Sequence, residues 1–562
     1  MKIASRILGV ALTALALTAC SQDEPAGNGP GVPGDDGTVT TYVSMSLQLP
    51  AGPSAKAPAR SNPSGGEEGD GRLPGINNEN TIHDISLFIY TDVAGGPGLD
   101  APASTSFVAT AHFTREQLDA YKVDGKENTY LLPLRDFDPS GHFRIAVAAN
   151  TGTLPAYVSN MGDLRDYICA QSYTPGNGTK PLSIAGADYF VMSNAYNGAK
   201  HRSDDGRIYR PENTLEKPGT KVNPLRAEVT LERLSARIDL LYNQNQVKDG
   251  ALNYTVSEAP GNGGSARNTA RVMLTHVIPV NVMQHPSFLF KRVTSGADIN
   301  DNTLLVCGDE TMVGQIPTNY VIEPRSRLKG NGAAIPADWY GSTAMAGYMQ
   351  AAAYTDGNRL LDSWCRISDA GTREPGFDEY AILGYADENT QDKEVLSNDI
   401  LTGLVIRALY RPTRVYTYYE PATGRLDYVE NVENGISGTF WLWRPDALTV
   451  TDADCLYFNS YDAAVMYADS HRGTLTEYPD GICYYNMWIR HANDNTADPG
   501  PDRRSPMEYG IVRNNVYRIS FTFHGPGNPT PDNPRPTEHM RTVIIASPNF
   551  TCRKSGLFAT SV

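Results

Sequence analysis

The reading of this chain turns on residues 39–60. They run Val39-Thr40-Thr41-Tyr42-Val43-Ser44-Met45-Ser46-Leu47-Gln48-Leu49-Pro50, then Ala51-Gly52-Pro53-Ser54-Ala55-Lys56-Ala57-Pro58-Ala59-Arg60. In the first half Val39, Val43, Met45, Leu47 and Leu49 hold odd positions, and Thr40, Tyr42, Ser44, Ser46 and Gln48 hold the even ones. That period of two predicts a strand over 39–49 with one buried face. The second half is small residues, Pro and Gly, with nothing large and apolar to pack. It predicts an exposed loop over 51–72 that offers Lys56, Arg60 and Arg72 to a protease. On its own the stretch reads first as an ordinary strand followed by a long surface loop, and the rest of the chain shifts that reading.

Upstream, Lys2 and Arg6 form a basic start, and Ile7 to Ala16 is an apolar run too short to span a bilayer. It leads into Leu17-Thr18-Ala19-Cys20, a lipobox pattern. The expectation is a signal peptide over 1–19, acylation of Cys20 and a Gly/Pro-rich tether over 20–37. Acyl chains gain about 0.8 kcal/mol per buried CH₂, so a multiply acylated Cys20 would hold the precursor to the outer membrane. The tether contains Gly29-x-Gly31-x-x-Gly34, a formal dinucleotide fingerprint. No strand precedes it, no helix pattern follows, and Pro30 and Pro33 interrupt it, so it is rejected.

The chain has 562 residues and a formal net charge of −15, enough length for two domains and the wrong sign for nucleic acid or an anionic membrane surface. Gly 51, Pro 38 and Tyr 31 fit a loop-rich all-β protein with a few short helices. Strand patterns recur at 85–90, 143–150, 189–194, 227–240, 271–280, 404–410, 482–490 and 512–523. Short helices are predicted at Thr114 to Asp119, with Thr114 and Gln117 as a capping box, near Asp163 to Cys169, and at Tyr461 to Ala468. Within 227–240 the apolar parity switches, which predicts a bulge or a bend between two sheets. A Gly/Ser-rich stretch at 249–268 predicts the boundary between an N-terminal domain (38–250) and a C-terminal domain (265–524).

The second domain ends in a Pro-rich stretch, 525–538, read as a stiff extended spacer. Beyond it, in the arm 539–562, Met540-Arg541-Thr542-Val543-Ile544-Ile545-Ala546 is an apolar run with no sequence neighbour to pair with. It has two options: fold back across its own domain or pair with another molecule.

The sequence holds no H-E-x-x-H, no P-loop and no nucleophile elbow; Gly435-Ile436-Ser437-Gly438 lacks the fifth position. Asp35-Asp36, Glu67-Glu68 and Asp204-Asp205 sit in Gly-rich loops. The ten His are scattered, so no metal and no cofactor is expected, and no enzyme. Cys169, Cys307, Cys365, Cys455, Cys483 and Cys552 form no C-x-x-C and read as buried free thiols. Trp441-Leu442-Trp443 and Tyr484-Tyr485 are able to stack a sugar, but strand aromatics usually belong to a core.

Several motifs, in order, resemble a Bacteroidales fimbrillin, the subunit of lipoprotein-derived (type V) pili, and within that family the shaft subunit of the minor, or short, fimbriae. They are the lipobox, the acidic Asp23-Glu24 after it, Tyr42-Val43-Ser44-Met45-Ser46-Leu47, the basic loop to Arg60, Val229-Thr230-Leu231-Glu232-Arg233, Val405-Ile406-Arg407-Ala408, Val512-Arg513-Asn514-Asn515-Val516-Tyr517 and the Pro-rich spacer. The resemblance implies two tandem transthyretin-like β-sandwich domains. It implies a lipoprotein precursor cut between Arg60 and Ser61 by an Arg-specific protease. The cut would remove the strand bearing Val39, Val43, Met45, Leu47 and Leu49. A strand from another copy's arm, carrying Met540, Val543, Ile544, Ile545 and Ala546, would replace it. Partners would be other copies, accessory fimbrial subunits and host or bacterial surface ligands, with roles in adhesion and biofilm formation. One departure stands out: the family's shaft subunits end in a longer alternating strand, whereas here Pro548 follows closely. The alternatives are a tip adhesin or accessory subunit of the same pilus, and a SusD-like glycan-binding lipoprotein, which would be rich in paired helices.

Overall fold

The computed structural model describes residues 41–49, 77–92, 101–169, 190–194, 206–211, 216–248, 251–256, 270–283, 287–293, 321–322, 324, 365–366, 379–389, 401–446, 455–489, 510–530 and 540–548. Val39, Cys20, Arg60, Ser61, the tether and the 51–72 loop lie outside the described residues.

The first unit comprises β1 (Thr41–Gln48), β2 (Asp84–Thr91), β3 (Ala109–Thr114), β4 (Thr129–Leu134), β5 (Phe143–Ala149), β6 (Ile168–Cys169), β7 (Met192–Asn194) and β8 (Leu225–Arg233). Seven of these form one sheet in the order β3-β2-β5-β7-β8-β1-β4. It folds over on itself at β8. Residues 225–230 pair with β1, and residues 231–233 pair with β7. The two halves close on a core in which Val43, Met45 and Leu47 meet Leu132, Val229, Ile85, Leu87, Phe113 and Val147. The outer face of β2 and β5 is covered as well: Phe88, Tyr90, Ala146 and Ala148 pack under Met161 and Leu164. With both faces covered, β2 is buried at every position from Ile85 to Tyr90.

Two short helices flank this sheet. α1 (Arg115–Tyr121) starts at Thr114 with the predicted capping box, the Thr114 N–H donating to Gln117 Oε1 at 2.9 Å. α2 (Met161–Asp166) begins earlier than expected, because Asn160 is its cap and accepts from the Asp163 N–H. The end of the predicted helix, Ile168 and Cys169, is strand β6 instead.

The second unit opens with β9 (Ala236–Tyr242), β10 (Val247–Lys248), β11 (Ala251–Val256), β12 (Ala270–Val280), β13 (Ser287–Phe288), β14 (Arg292–Val293), β15 (Val321–Ile322), β16 (Cys365–Arg366), β17 (Glu379–Ala386) and β18 (Gly403–Pro412). It continues through β19 (Arg414–Glu420), β20 (Arg425–Glu430), β21 (Phe440–Pro445), β22 (Leu456–Phe458), α3 (Tyr461–Ser470) and β23 (Gly473–Tyr478) to β24 (Ile482–Trp488), β25 (Asn515–Phe523) and β26 (Met540–Pro548). Sheets β10-β11-β12-β18-β24 and β16-β17-β9-β25-β26 enclose its core, with Ile238, Leu240, Leu274, Ile406, Tyr485 and Ile519 among the fully buried residues. The chain is thus all-β with a few short helices, built as two β-sandwich units in series.

The parity switch in 227–240 has a larger meaning than a bend between two sheets. Leu231 belongs to the first core and Ala236 to the second. The seam therefore falls at Leu234–Ser235, ahead of the expected boundary at 250–265. The Gly-rich 257–269 stretch joins β11 to β12, which pair within one sheet. Strands β19 to β23 form a third sheet, β20-β19-β22-β21-β23, that the strand patterns did not announce. It interrupts the β18–β24 pair and carries α3 on one face, where Trp443, Phe458 and Tyr467 pack together. Trp443 is buried there and Tyr485 lies in the second core, so neither is offered to a sugar.

Cys169 and Cys483 are free thiols and buried, and Cys455 is buried as well. Burial pushes the Cys169 thiol up to about 12 and the Cys483 thiol up to about 11. The thiolate is the reactive form, so both are protonated at neutral pH. Alkylation at pH 8 should label neither in the native protein and both in denaturant; rapid labelling of the native state would contradict the buried placement.

Candidate functional site: the seat of the first strand

β1 alternates as the sequence predicts. Thr41, Val43, Met45 and Leu47 point inward and are buried; Tyr42, Ser44 and Ser46 are half-buried. Leu49, just past the strand, packs against the same core. The strand is antiparallel to β4 (Val43 opposite Leu132) and parallel to β8 (Val43 opposite Leu225). Side contacts complete the seat. Thr41 Oγ1 donates to the Phe137 carbonyl at 2.6 Å, the Tyr42 N–H to Gly219 O at 2.7 Å, and the Leu47 N–H to Asn128 O at 2.9 Å.

The position of β1 in the sheet matters more than its fit. Among the described residues β4 is the edge strand with β1 as its one ladder neighbour, apart from an isolated bridge from Lys122 to Tyr130; β8 lies on the other side of β1. Strand spacing is about 4.8 Å, so without β1 the chain would hold an open slot about 10 Å wide between β4 and β8. Its floor would be the apolar residues that Val43, Met45 and Leu47 now cover. The strand is therefore inside the sheet, next to its rim, and its removal leaves a continuous trench.

The C-terminal run folds back across its own domain. β26 pairs antiparallel with β25, from Phe523 opposite Met540 to Asn515 opposite Pro548, as the outer strand of its sheet. Met540, Val543, Ile544, Ile545 and Ala546 all lie in it, and the strand runs two residues beyond Ala546. Pro548 is tolerated because it sits at an edge.

The start of the Pro-rich stretch is not a free spacer. Gly525, Pro526 and Gly527 are buried. Asn528 exchanges two backbone hydrogen bonds of 2.8 Å with Tyr484, extending the sheet beyond β24. Tyr478 and Tyr485 donate their hydroxyls to Gly527 O at 2.9 Å and Gly525 O at 2.8 Å. A Cβ on Gly527 would lie 2.2 Å from the Tyr484 carbonyl. Residues 525–530 thus clamp the arm to β24, and residues 531–538 lie outside the described residues. Composition gave no sign of this, since Pro and Gly describe the backbone and not what it packs on. Gly527→Ala should lower stability by about 1–3 kcal/mol, the range for overpacking a close contact. A chemical-denaturation midpoint equal to wild type would contradict the clamp.

A second group missed by sequence reading lies at the seam. Glu79, in the turn Asn77–Asn80 that follows the undescribed 50–76 segment, is buried. Its two carboxylate oxygens each accept from Arg237 at 3.1 Å, and Tyr385 donates to Oε1 at 2.5 Å. Arg237 also pairs with Asp239 at 2.9 Å, and Arg233 donates to Glu79 O at 2.9 Å and Asn80 Oδ1 at 2.6 Å. Glu79 comes from the first unit, Arg237 and Tyr385 from the second. Burial opposes ionisation of Glu79, but the Arg237 and Arg233 guanidiniums outweigh it and hold the carboxyl below its ordinary range. A depressed folded-state pKa contributes stability above the unfolded value and loses it as pH falls through the folded one. Glu79→Gln should therefore cost about 3–5 kcal/mol at pH 7 and flatten the acid limb of the stability curve below about pH 4. Thermal melts of both proteins from pH 3 to 8 check this; parallel curves would contradict it.

A first strand seated inside its sheet, an outer C-terminal strand and two sandwiches in series are the features set against known proteins. Residues 476–547, from the end of β23 to β26, match the family described as major fimbrial subunit protein type IV, fimbrillin, C-terminal. Over those residues the match agrees with the resemblance to the Bacteroidales fimbrillins. Loose structural likenesses exist to the tip fimbrial protein Mfa3 of Porphyromonas gingivalis with a C-terminal truncation (12% identity, 90% of this chain and 98% of that one, TM-score 0.32). Others are a fimbrilin, fimA, from Porphyromonas gingivalis W83 (12%, 92% and 100%, 0.33) and the fimbrial anchor protein Mfa2 of Porphyromonas gingivalis (9%, 70% and 83%, 0.20). Overlaps this loose carry no argument. No curated protein matches in sequence.

Proposed function

We propose that the chain is the precursor of a pilus subunit that polymerises by exchanging its first strand for one from another copy. In this reading the precursor is exported as a lipoprotein on Cys20 and held at the outer membrane. An Arg-specific protease cuts between Arg60 and Ser61, and β1 leaves. The C-terminal strand of a second copy then enters the trench between β4 and β8. The carrying observation is that β1 is, among the described residues, the one ladder partner of β4 and yet lies at the far end of a segment, 50–76, that holds the expected cleavage site.

Two further features support it. Glu79 is fixed at the seam, so a cut at Arg60 frees what precedes it while residues 77–80 stay in place. β26 lies at a sheet edge, held by one neighbour only, and is the less costly strand to release. Ordering an incoming strand opposes binding at about 1–2 kcal/mol per residue, so exchange is worthwhile only into a preformed apolar trench. Before cleavage β1 fills that trench and the precursor stays monomeric.

The shaft position, adhesion and biofilm formation belong to the same proposal, with accessory fimbrial subunits and host or bacterial surface ligands as partners. The tip role shares this fold and differs in what the arm does. The SusD-like alternative needs paired helices, whereas the described helices here are 7, 6 and 10 residues long.

An Arg-specific protease added to purified precursor should produce ladders of polymer within the wild type and none with Arg60→Ala, read by electrophoresis without boiling. Equal ladders from both would reject Arg60 as the trigger, and ladders without any cleavage would reject strand exchange after processing.

A further inference from the structure

Segment 287–291 is a strap from the second unit that docks on the first. β13 pairs with β6, the Leu289 N–H donates to Tyr167 O at 3.0 Å, and Ser193 Oγ donates to Leu289 O at 2.7 Å. Arg513 grips the strap from the other side, donating to Leu289 O at 3.1 Å and Phe288 O at 2.6 Å. Leu289 and Phe290 sit in the apolar layer beneath β2 and β5. The next residue, Lys291, extends its amine to within 3.1 Å of Glu232 Oε2 on β8, and both side chains are 0% exposed.

We propose that Lys291 and Glu232 condense into an intramolecular isopeptide bond, Nζ to Cδ, that staples the strap to β8. Three observations lead there. The nucleophile and the acyl carbon belong to groups already in contact, in a setting that fixes both backbones, which supplies the proximity that such a condensation needs. The Glu232 carboxylate faces the Lys291 amine at 3.1 Å in a fully buried site, with Arg513 the other nearby cation. Full burial of both ions carries a large desolvation cost, and a neutral amide removes both charges at once.

The chemistry closes on itself. One proton crosses the 3.1 Å contact from ammonium to carboxylate, giving an amine and a carboxylic acid. Burial favours the acid form, since it raises the Glu232 carboxyl against the opposing pull of Lys291 and Arg513. The Nζ lone pair attacks Cδ, and the oxygen that takes up the developing negative charge lies in the field of the Arg513 guanidinium, itself fixed by Glu388 at 2.9 and 2.8 Å. A second Nζ proton passes to the Cδ hydroxyl, which leaves as water. One C–O bond breaks, one C–N bond forms, and no oxidant or activated donor is required. The same burial then keeps bulk water from reversing the step.

The bond would lie across the seam and does not depend on strand exchange. It is read by peptide mapping of the full chain, purified without cross-linker and digested with trypsin in denaturant. Trypsin cuts after Lys and Arg, so an amidated Lys291 survives. The expected product is a branched peptide, Ala227 to Arg233 joined to Val272 to Arg292, one water lighter than its two parts, with free Ala227 to Arg233 depleted. Recovery of the linear peptides Ala227 to Arg233 and Val272 to Lys291, with no branched species, would overturn the proposal. Lys291→Arg keeps the charge and cannot form the bond, so a branched species of the same pair in that variant would also overturn it. Where the variant fails to fold, the wild-type map decides alone.

Discussion

Charged groups with no water to fall back on meet at the seam between the two sandwiches. Glu79 of the first reaches Arg237 of the second, which also pairs with Asp239, and Lys291 of the second reaches Glu232 of the first, with every one of these side chains at or near zero exposure. Such pairs contribute little net stability against a well-packed apolar alternative, but they tolerate no misalignment, because a guanidinium shifted out of its fork leaves an uncompensated charge in a low-dielectric site. Apolar contacts slide; forked contacts do not. The seam therefore behaves as a registered joint. That matters for a molecule in which one strand per unit is read as exchangeable, since the remaining strands must hold position while it is gone.

The same logic explains why a segment from one unit repeatedly completes the other. The Asn77–Asn80 turn reaches across to Arg237 and Tyr385, and the 287–291 strap reaches back to Ser193 and Tyr167. Asn514, at the positive φ of 59° that a tight turn before β25 demands, accepts from the Arg233 N–H. The joint is made of reciprocal insertions more than of two flat faces, so neither unit presents a finished surface alone.

How much of this could be read beforehand depends on the kind of signal. Alternation in 41–48 reports a one-sided burial directly, and β1 is where it was expected. The capping box at Thr114 is a local contact between residues three apart, legible for that reason. The switch of parity around Leu234 was visible, but a change of face does not say whether the chain crosses between two sheets or between two cores. The Gly-rich 257–269 stretch resembles a linker because a long hairpin connection has the same composition. Glu79 sits in Asn-Asn-Glu-Asn, which reads as solvated turn; only its distant partners, far along the chain, make it a buried acid. The sheet of β19 to β23 escaped notice because its strands are short, mix Tyr and Trp with charges, and face an α-helix on one side and a core on the other, which blurs the period of two.

That inserted sheet leaves and rejoins the fold at adjacent rungs: β18 and β24 are direct neighbours, Leu409 lying opposite Ile482. Its inward face donates Val415, Leu442 and Tyr457 to the second core, while α3 caps the opposite face, with Tyr461 and Met466 exposed. Growth or replacement of α3 and its flanking turns would leave every other strand of the sandwich untouched. The architecture separates the strands of the two paired sheets from an insertion with a solvent-facing helix, so that outer surface can change while the sandwich beneath it keeps its register.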